Sequence, residues 1–522
     1  MELPQTIPEA LVAAAHRFGD RDAVVMNGLR ISFRRLKEDA AAIAGSFRAS
    51  GLRKGDRLAI WAPNSVNWIV VSLAAACMGA IIVPLNTRLK GKEAADILRR
   101  CRARMLVTVG NFLGTDYLSM LQDELIPDLE NVLLLSGSSS AQCQFIGWQA
   151  FIDVRPIAPP AADFDFSEIL PNDVCDILYT SGTTGQPKGV VCSHQQNIRV
   201  YSAWGKAVGL RAGDRYLIVN PLFHSFGFKA GLLACLIAGA TMYPMETFDV
   251  ALMSELISSE SITVLPGPPT IFQSLLAFTL TSTVNFTSLR LAVTGAASVP
   301  PILIRQMREQ LGFRDVLTAY GLTESAGTVT ICPLGTSDEI VANRCGRPIP
   351  GVEVQCWDEA GTPVQVGAEG EVVVRGYNIM QGYFEDDAAT RQTIDSGGWL
   401  HTGDVGVLDE NGFLRITDRK KDMYIAGGFN CYPAEIERIM SNHPAIAQVA
   451  VIGIPDERLG EVGKAFVVAQ PGALPEIAEI MAWCRVNMAN YKVPRQLELV
   501  ASLPTNAAGK VQKFALRELY AD

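Results

Sequence analysis

The feature that most constrains the fold is an alternation of short apolar strands with helical segments early in the chain. Residues 57–61, Arg-Leu-Ala-Ile-Trp, form an apolar run that predicts a buried strand, and comparable runs recur downstream. Strands and helices in this alternating order are typical of a layered α/β sheet. The predicted strands are 23–25, 31–33, 57–61, 82–83, 105–107 and 132–134, and the predicted helices among them are 8–18 and 33–49.

A run of small hydroxylated residues between glycines follows the apolar segment 176–178. Residues 179–189 read Tyr-Thr-Ser-Gly-Thr-Thr-Gly-Gln-Pro-Lys-Gly. Glycines permit close backbone approach and unusual φ/ψ angles, so such a loop can turn its N–H groups and hydroxyls toward a phosphate. The spacing differs from that of a Walker loop, because Gln186 and Pro187 precede the lysine. Composition alone equally allows a flexible linker, but the Pro-Lys-Gly ending and the apolar Val190-Val191 favour an ordered turn.

This run resembles the phosphate-binding signature of the adenylate-forming superfamily, which includes acyl-CoA synthetases and the adenylation domains of peptide synthetases. The resemblance implies a large N-terminal domain of layered α/β sheets with a β-barrel-like subdomain, at residues 1–417. It further implies a hinge at 418–422 and a small, mobile α+β C-terminal domain at 423–522, as in acetyl-CoA synthetase. The loop residues that would bind the phosphates of ATP are Thr180, Ser181, Gly182, Thr183, Thr184 and Lys188.

Two motifs downstream match the same family. The first is Thr-Gly-Ala-Ala-Ser at 294–298, where the family places adenine against Gly295, Ala296 and Ala297. The second is Ala-Tyr-Gly-Leu-Thr-Glu at 319–324. Taken alone, its Thr-Glu pair is more typical of a helix start with Thr as the N-cap. Beside the phosphate loop, the resemblance gives the following roles: Ala319, Tyr320 and Gly321 against adenine, Thr323 on a phosphate, and Glu324 with Thr184 as ligands of Mg²⁺, a hard cation that prefers oxygen.

A third group of motifs implies the ribose contacts and the hinge. Asp404, in Trp-Leu-His-Thr-Gly-Asp, would accept hydrogen bonds from both ribose hydroxyls, although a turn aspartate is the simpler interpretation. Arg419 would also reach the ribose. Charged runs such as 418–422 are usually solvated surfaces, but in the family this one is the hinge, with Lys420 or Lys421 absorbing the rotation.

The C-terminal motifs imply a catalytic lysine and a thiol tunnel. Gly427 and Gly428 resemble the family's loop that faces the coenzyme A tunnel, with Phe429 in place of the more common Glu. Lys510 occupies the position of the catalytic lysine in Pro-Thr-Asn-Ala-Ala-Gly-Lys, where Asn506 and Ala508 replace a basic residue and Ser. Without the resemblance, this lysine would be an ordinary surface residue.

The acyl pocket is expected along the segment 222–231. A single histidine is more often structural, but the family has a histidine or an aromatic residue lining the pocket where His224 stands. Lys229 is unusual beside an apolar pocket, and two hypotheses are open for it: donation to a ring ketone of the substrate, or extension to solvent. The remaining predicted pocket residues are Phe228, Gly231 and Pro266.

Composition restricts the class of protein. The 522 residues carry a net charge of −9 without a long basic run, which argues against nucleic-acid binding. Eleven cysteines without paired spacing suggest a reduced, cytoplasmic protein, and the N-terminus does not resemble a signal peptide. The longest apolar run, 68–85, predicts a buried helix that leads into a strand rather than a membrane span. Peripheral membrane contact and oligomerisation are left open.

The resemblance therefore implies an ATP-dependent acyl-CoA ligase that forms an acyl-AMP and then a coenzyme A thioester, with a carboxylic acid, ATP and CoA as its partners. Two alternatives are an adenylation enzyme that loads a carrier protein in trans and a nucleotide-binding protein without catalysis. For the acid, segments 220–231 and 422–430 are most similar to actinobacterial ligases of steroid catabolism, which activate an indanedione propanoate. A medium- or long-chain fatty acid is the alternative substrate.

Overall fold

The computed structural model describes residues 3–139, 146–147, 166–181, 186–282, 284–295, 299, 301–358, 360–419, 424–431, 433–470, 472–473, 475–504, 511 and 513–519. These residues form two compact units. The larger unit consists of Met1–Thr87, Ala95–Tyr179 and Gly189–Thr417, and the smaller of Arg88–Ala94, Thr180–Lys188 and Asp418–Asp522. The predicted hinge lies largely outside the described residues, and the predicted domain limits stay predictions.

A nine-stranded sheet forms the first layer of the larger unit. Its six central strands run parallel, while an antiparallel pair at one edge and a single antiparallel strand at the other complete it. In spatial order the strands are Arg347–Pro348, Thr330–Ile331, Asp315–Tyr320, Leu291–Gly295, Val264–Pro266, Arg215–Ile218, Thr241–Pro244, Asp22–Met26 and Leu29–Ser32. Nearly continuous burial of the central strands agrees with a parallel sheet that is covered on both faces.

An eight-stranded sheet forms a second layer, and it includes the strands on either side of the predicted phosphate loop. Six neighbouring strands of this sheet, from Val174–Ser181 to Ile146–Gly147 in the spatial order given next, pair in parallel. In spatial order the strands are Gly382–Tyr383, Pro187–Ser193, Val174–Ser181, Ile81–Pro84, Arg57–Trp61, Ala103–Thr108, Asn131–Leu134 and Ile146–Gly147.

Capping residues set where several helices of the larger unit begin. The hydroxyls of Thr6, Ser32 and Ser65 accept hydrogen bonds from backbone N–H groups in the first turns of their helices. Ser193 and Gln196 form a reciprocal capping box at the start of the helix after the phosphate-loop strands. The helices are Ile7–Phe18, Phe33–Ala49, Val66–Cys77, Gly91–Arg100 (divided between the units), His194–Ala207, Ser225–Gly227, the π-helix Phe228–Leu233, Ala234–Ala238, Val250–Ser259, Pro269–Thr279, Pro301–Glu309, Asp338–Asn343 and Asp387–Thr393, with 3₁₀ turns at Ser119–Leu121 and Thr323–Ser325.

The predicted β-barrel-like region forms a four-stranded sheet in the larger unit. Its strands, in spatial order, are Val352–Trp357, Glu369–Gly376, Leu400–Leu408 and Leu414–Arg419. The short connection between the last two contains Gly412, whose φ of 74° suits a tight turn. A separate two-stranded ribbon pairs Asn111–Phe112 with Thr115–Asp116.

The smaller unit is an α+β structure with its own core. Its sheet comprises Phe429–Cys431, Tyr424–Ala426, Gly460–Ala469, Ile446–Asp456 and Gln496–Leu499, and its helices are Pro433–Met440, Ile477–Asn487 and Lys513–Leu519. Buried side chains of the first two helices pack with those of the sheet in one cluster, which includes Ile436, Met440, Ile480 and Cys484. The predicted α+β character of this part of the chain is confirmed.

Several local predictions are confirmed. The helix predicted at 33–49 has those limits, and the apolar run 68–85 covers most of the helix Val66–Cys77 and the whole of the strand Ile81–Pro84. The strands predicted at 23–25 and 31–33 form an antiparallel hairpin, whose turn has Asn27 and Gly28 at positive φ. Within the described ranges, none of the helices is both long and apolar enough to cross a bilayer.

Candidate functional site

Several predicted site residues lie at one edge of the nine-stranded sheet, where neighbouring parallel strands end. Pro266, Gly295 and Tyr320 are the last residues of three of these strands. His224 follows shortly after the end of the adjoining strand Arg215–Ile218. Because carboxyl ends of parallel strands share an edge, the fold brings together residues that are far apart in sequence, and such edges are where open α/β sheets bind ligands.

Two glycines without room for a side chain line part of this edge. Gly295 is paired with Ala319, and a Cβ atom built on Gly295 would lie 2.7 Å from the carbonyl oxygen of Ala319. A Cβ on Gly321 would lie 2.4 Å from the carbonyl oxygen of Gly327. Both positions therefore require glycine, and the strand ends present backbone rather than side chains.

Tyr320 and Asp404 meet in a direct hydrogen bond. The Tyr320 hydroxyl donates to Oδ2 of Asp404 over 2.6 Å, and Asp404 is buried, at 3% exposure. Asp404 comes from the four-stranded sheet, so this bond joins that sheet to the strand end of the nine-stranded one. The structure thus brings the predicted adenine and ribose residues together.

Glu324 lies in a tight turn directly after this strand. Thr323–Ser325 is a 3₁₀ turn in which the Ser325 hydroxyl accepts from the N–H of Leu322 over 2.9 Å. A 3₁₀ helix does begin at Thr323, but Leu322 occupies the N-cap position, so the prediction of Thr323 as the N-cap is wrong. The chain then reverses through Ala326 and Gly327 at φ values of 52° and 97°, and a Cβ on Gly327 would meet the Tyr201 hydroxyl at 2.4 Å.

Tyr383 holds the carboxylate of Glu324. Its hydroxyl donates to Oε1 of Glu324 over 2.9 Å, and the backbone N–H of Met380 donates to the carbonyl oxygen of Glu324 over 2.9 Å. Tyr383 belongs to the edge strand that pairs with the strand Pro187–Ser193, which follows the phosphate loop in sequence. Sequence reasoning missed Tyr383, because a Gly-Tyr pair within a β-rich stretch carries no functional signal.

Two buried asparagines shape the start of the predicted acyl segment. Asn64 donates to the carbonyl oxygen of Asn220 over 3.1 Å and accepts from the N–H of Leu222 over 2.7 Å. Asn220 in turn donates to the carbonyl oxygen of Pro266 over 3.0 Å. These bonds satisfy buried backbone groups in an irregular turn and fix its path. The sequence analysis assigned neither asparagine a role of its own, because it identified the expected pocket from His224.

His224 stands at the N-terminus of the one-turn helix Ser225–Gly227. Its Nδ1 accepts from the N–H of Phe226 over 3.2 Å, so a neutral ring carries its proton on Nε2. The side chain of His224 is exposed to solvent. In its neutral form the ring presents an N–H donor at Nε2.

The following π-helix, Phe228–Leu233, carries a fully buried lysine. The ammonium of Lys229 lies 2.8 Å from Oδ1 of Asp176, and both side chains are 0% exposed. Oδ2 of Asp176 accepts hydrogen bonds from Asn197 and Cys175. Burial opposes the charge on Lys229, but the attraction of Asp176 outweighs it and raises the pKa of the lysine above its ordinary value.

This placement corrects an expectation about Lys229. The prediction that its side chain extends to solvent is wrong, because the charge is satisfied by a carboxylate inside the protein. The same burial argues against donation to a substrate ketone. Two neighbouring residues of the predicted pocket are also enclosed by protein. Phe228 is 1% exposed and packs edge-on against Trp68, with ring centroids 5.6 Å apart. A Cβ atom built on Gly231 would contact the side chain of Ile218 at 3.4 Å.

In the smaller unit, Gly427 and Gly428 form the turn between two short strands, with φ values of 56° and 83°. Phe429 follows and stacks on Tyr491 with ring centroids 4.6 Å apart, while the guanidinium of Arg88 lies 4.4 Å from the centroid of Phe429. The phenylalanine at the family's usual glutamate position therefore belongs to a stack of two rings and a cation.

A cavity of about 250 Å³ adjoins this turn, and three arginines line it: Arg88, Arg458 and Arg495. The lining also includes Gly427 and Tyr491, and none of the described residues that line it is acidic. Three guanidinium groups around one cavity favour a ligand with several negative charges. The arginines are scattered in sequence, so no motif could have predicted the cluster.

The remaining predicted residues are described only in part or not at all. Thr180 and Ser181 end the strand Val174–Ser181, and Lys188 is half-buried in the next strand. Arg419 ends the strand Leu414–Arg419. Outside the described residues lie Gly182, Thr183, Thr184, Ala296, Ala297, Lys420, Lys421 and Lys510. Their assigned roles stay predictions.

Comparison with known proteins identifies the family. The profile described as AMP-binding enzyme matches residues 11–384, and the AMP-binding enzyme C-terminal domain matches 435–510. The chain is 45% identical to a protein of Rhodococcus jostii (strain RHA1), over 99% of each chain, named 3-[(3aS,4S,7aS)-7a-methyl-1,5-dioxo-octahydro-1H-inden-4-yl]propanoyl:CoA ligase. A protein of the same name from Mycobacterium tuberculosis (strain ATCC 25618 / H37Rv) is also 45% identical, over 99% of each chain.

A similar solved structure is the o-succinylbenzoate CoA synthetase of Bacillus subtilis, with a TM-score of 0.83, 28% identity and 98% of each chain covered. That protein was solved with an analogue of its coenzyme A product. The predicted fold class is confirmed by this likeness. The chain belongs to the AMP-binding enzymes and is an acid–thiol ligase of the AMP-forming acyl-CoA synthetase class.

Proposed function

We propose that this ligase activates a steroid-derived acid, the propanoate side chain of a methyl-dioxo-octahydroindene, and transfers it to coenzyme A. The observation that supports this substrate is 45% identity over essentially the whole chain to two ligases from different genera that are named for that acid. Relatives named for medium-chain acids are more distant, at 32% identity for the mouse protein.

The chemistry requires charge to be neutralised at the phosphates. The carboxylate oxygen of the acid attacks the α-phosphorus of ATP, and the bond to pyrophosphate breaks. The thiolate of coenzyme A then attacks the acyl carbon and expels AMP. We assign stabilisation of the developing negative charge to the loop of residues 180–188, including Lys188, and to Lys510.

Glu324 and its surroundings fit a magnesium site. A carboxylate in a turn beside the strand ends supplies the hard oxygen ligand that Mg²⁺ prefers, and Tyr383 already orders one of its oxygens. When bound, Mg²⁺ would neutralise charge on the phosphates and on pyrophosphate. Thr184 is the proposed second protein ligand. Tyr320 would lie against adenine, and Asp404 would exchange its Tyr320 partner for ribose hydroxyls.

His224 is proposed to orient the acid. A neutral imidazole with its proton on Nε2 donates to a carboxylate oxygen without adding a full charge to the pocket. The asparagine-braced turn that precedes it fixes the direction of this donor.

The arginine-lined cavity of the smaller unit supports a role in binding coenzyme A. Its 3′-phosphate and pyrophosphate carry several negative charges, and Arg88, Arg458 and Arg495 offer matching donors. Tyr491 and Phe429 add aromatic surface beside the same cavity.

The substrate is tested by following AMP release with the indanedione propanoate, octanoate and palmitate, each with and without coenzyme A. We expect kcat/KM for the indanedione acid to exceed that for octanoate by about tenfold or more. Equal or higher efficiency with octanoate would favour a medium-chain ligase instead. Thioester formation on a carrier protein, without turnover on free coenzyme A, would favour carrier loading.

A further inference from the structure

The carboxylate of Glu324 is held from one short segment of chain, residues 379–384. The Tyr383 hydroxyl donates to Oε1 of Glu324 over 2.9 Å, and the Met380 N–H donates to the Glu324 carbonyl over 2.9 Å. One segment therefore fixes both the backbone and the side chain of the same acidic residue. Tyr383 is 9% exposed, so water competes little for this contact.

The same segment is attached to the strand that follows the phosphate loop. The N–H of Phe384 donates to the carbonyl oxygen of Gly189 over 2.7 Å, and the N–H of Gln381 donates to that of Val191 over 2.9 Å. The backbone of Tyr383 is itself fixed, because its N–H donates to the hydroxyl of Thr390 over 2.9 Å. The phenol thus projects from a rigid edge strand rather than from a loose loop.

We infer that Tyr383 is a positioning residue that holds the Glu324 carboxylate in the orientation in which it binds the magnesium ion of the nucleotide. This inference rests on the proposed role of Glu324 as a metal ligand. Hydrogen-bonded partners of ligating carboxylates fix ligand orientation, and their loss typically weakens metal binding about 10–100-fold. In this role Tyr383 acts through Glu324 and not through the acid or the thiol.

The test is the dependence of ATP binding on magnesium, measured by titration calorimetry without the acid, so that no turnover occurs. The quantity compared is the Kd of ATP in EDTA divided by its Kd in saturating Mg²⁺. In Tyr383→Phe we expect this ratio to fall about tenfold, with the Kd in EDTA unchanged. Glu324→Gln should lower the ratio at least as far, and the KM for the acid should stay at the wild-type value in Tyr383→Phe.

A matched control is Tyr377→Phe, which removes a hydroxyl close by on the chain, where the ring lies against the guanidinium of Arg199. It should leave the ratio unchanged. A wild-type ratio in Tyr383→Phe together with a reduced ratio in Glu324→Gln would overturn the inference alone. A wild-type ratio in Glu324→Gln would overturn the proposed metal ligand, and the inference with it.

If Tyr383→Phe does not fold, 4-fluorophenylalanine at position 383 provides the second variant, because the fluorine fills the space of the hydroxyl but cannot donate a hydrogen bond to Glu324. Its magnesium ratio should fall about tenfold. A wild-type ratio in this variant would contradict the positioning role.

Discussion

Removing the buried charge of Lys229 should destabilise the larger unit severely. In Lys229→Met, the Asp176 carboxylate loses its counter-charge in a site that water does not reach, because both side chains are fully buried in the intact pair. Breaking one side of such a pair costs about 3–5 kcal/mol. The loss is a large fraction of the stability of a typical domain.

The expected shift in melting temperature follows from the size of the unit. Unfolding entropy is about 2.1 cal/mol/K per residue, so the larger unit, of about 400 residues, has an unfolding entropy of about 0.8 kcal/mol/K. A loss of about 3–5 kcal/mol then lowers Tm by about 4–6 °C. Lys206→Met is the matched control, because Lys206 is exposed on a helix, and its Tm should change by no more than about 1 °C.

The double variant Lys229→Met/Asp176→Asn separates charge from packing. Asparagine at position 176 keeps an oxygen for the donor group of Asn197 but leaves no buried charge. Calorimetric scans should show that the double variant recovers at least about half of the lost Tm, a coupling within the range known for contacting residues. If the double variant melts no higher than Lys229→Met, the ion pair is not the source of the effect and this reasoning fails.

The double variant also decides what Lys229 does for the substrate. With stability restored, its KM for the indanedione propanoate should stay within about threefold of the wild-type value, because the lysine side chain is fully buried and its charge is paired with Asp176. A much larger increase in KM would revive the hypothesis that Lys229 donates to a ring ketone.

Other substitutions test the remaining roles. Lys510→Ala should lower the rate of acyl-AMP formation about a hundredfold or more with the Kd of ATP nearly intact, as measured by single-turnover pyrophosphate release; an unchanged rate would remove its catalytic role. Lys421→Pro should block thioester formation and spare adenylation, and survival of both half-reactions would refute the hinge assignment. Arg458→Ala should raise the KM for coenzyme A about tenfold, equal to about 1.4 kcal/mol, without changing the KM for ATP; the reverse pattern would contradict the proposed cavity role. Burial lowers the pKa of His194 to about 4, so protonation favours the unfolded chain, and about 3 kcal/mol of stability should be lost as the pH falls from about 6.5 to 4. Urea unfolding of His194→Asn should show a flatter pH dependence in that interval, and an equally steep one would exclude this histidine as the cause.

Predictions from the sequence succeeded where the signal was local. The helix predicted at 33–49 forms over Phe33–Ala49, and Ser32 caps its start. The residues of the motif at 319–324 are neighbours in the chain, and the structure places them at a strand end and in the turn that carries Glu324. Local patterns of this kind depend on backbone geometry over a few residues.

Predictions failed, or were never made, where a residue is defined by a distant partner. Lys229 was predicted to be exposed because no acidic partner stands near it in the sequence. Asp176 becomes its partner only when the chain folds. Tyr383 acquires its contact with Glu324 only when an edge strand pairs beside the phosphate-loop strands. Tertiary pairing of this kind leaves no periodicity in a single sequence.

The ion pair between Lys229 and Asp176 has a practical consequence for altering the range of acids that the enzyme accepts. A saturation library at position 229, screened for activity that survives heating, would score most substitutions as harmful because they lower stability, and would wrongly suggest a residue that touches the acid. Libraries that randomise positions 176 and 229 together would instead recover neutral combinations, and these would open the acyl segment to redesign.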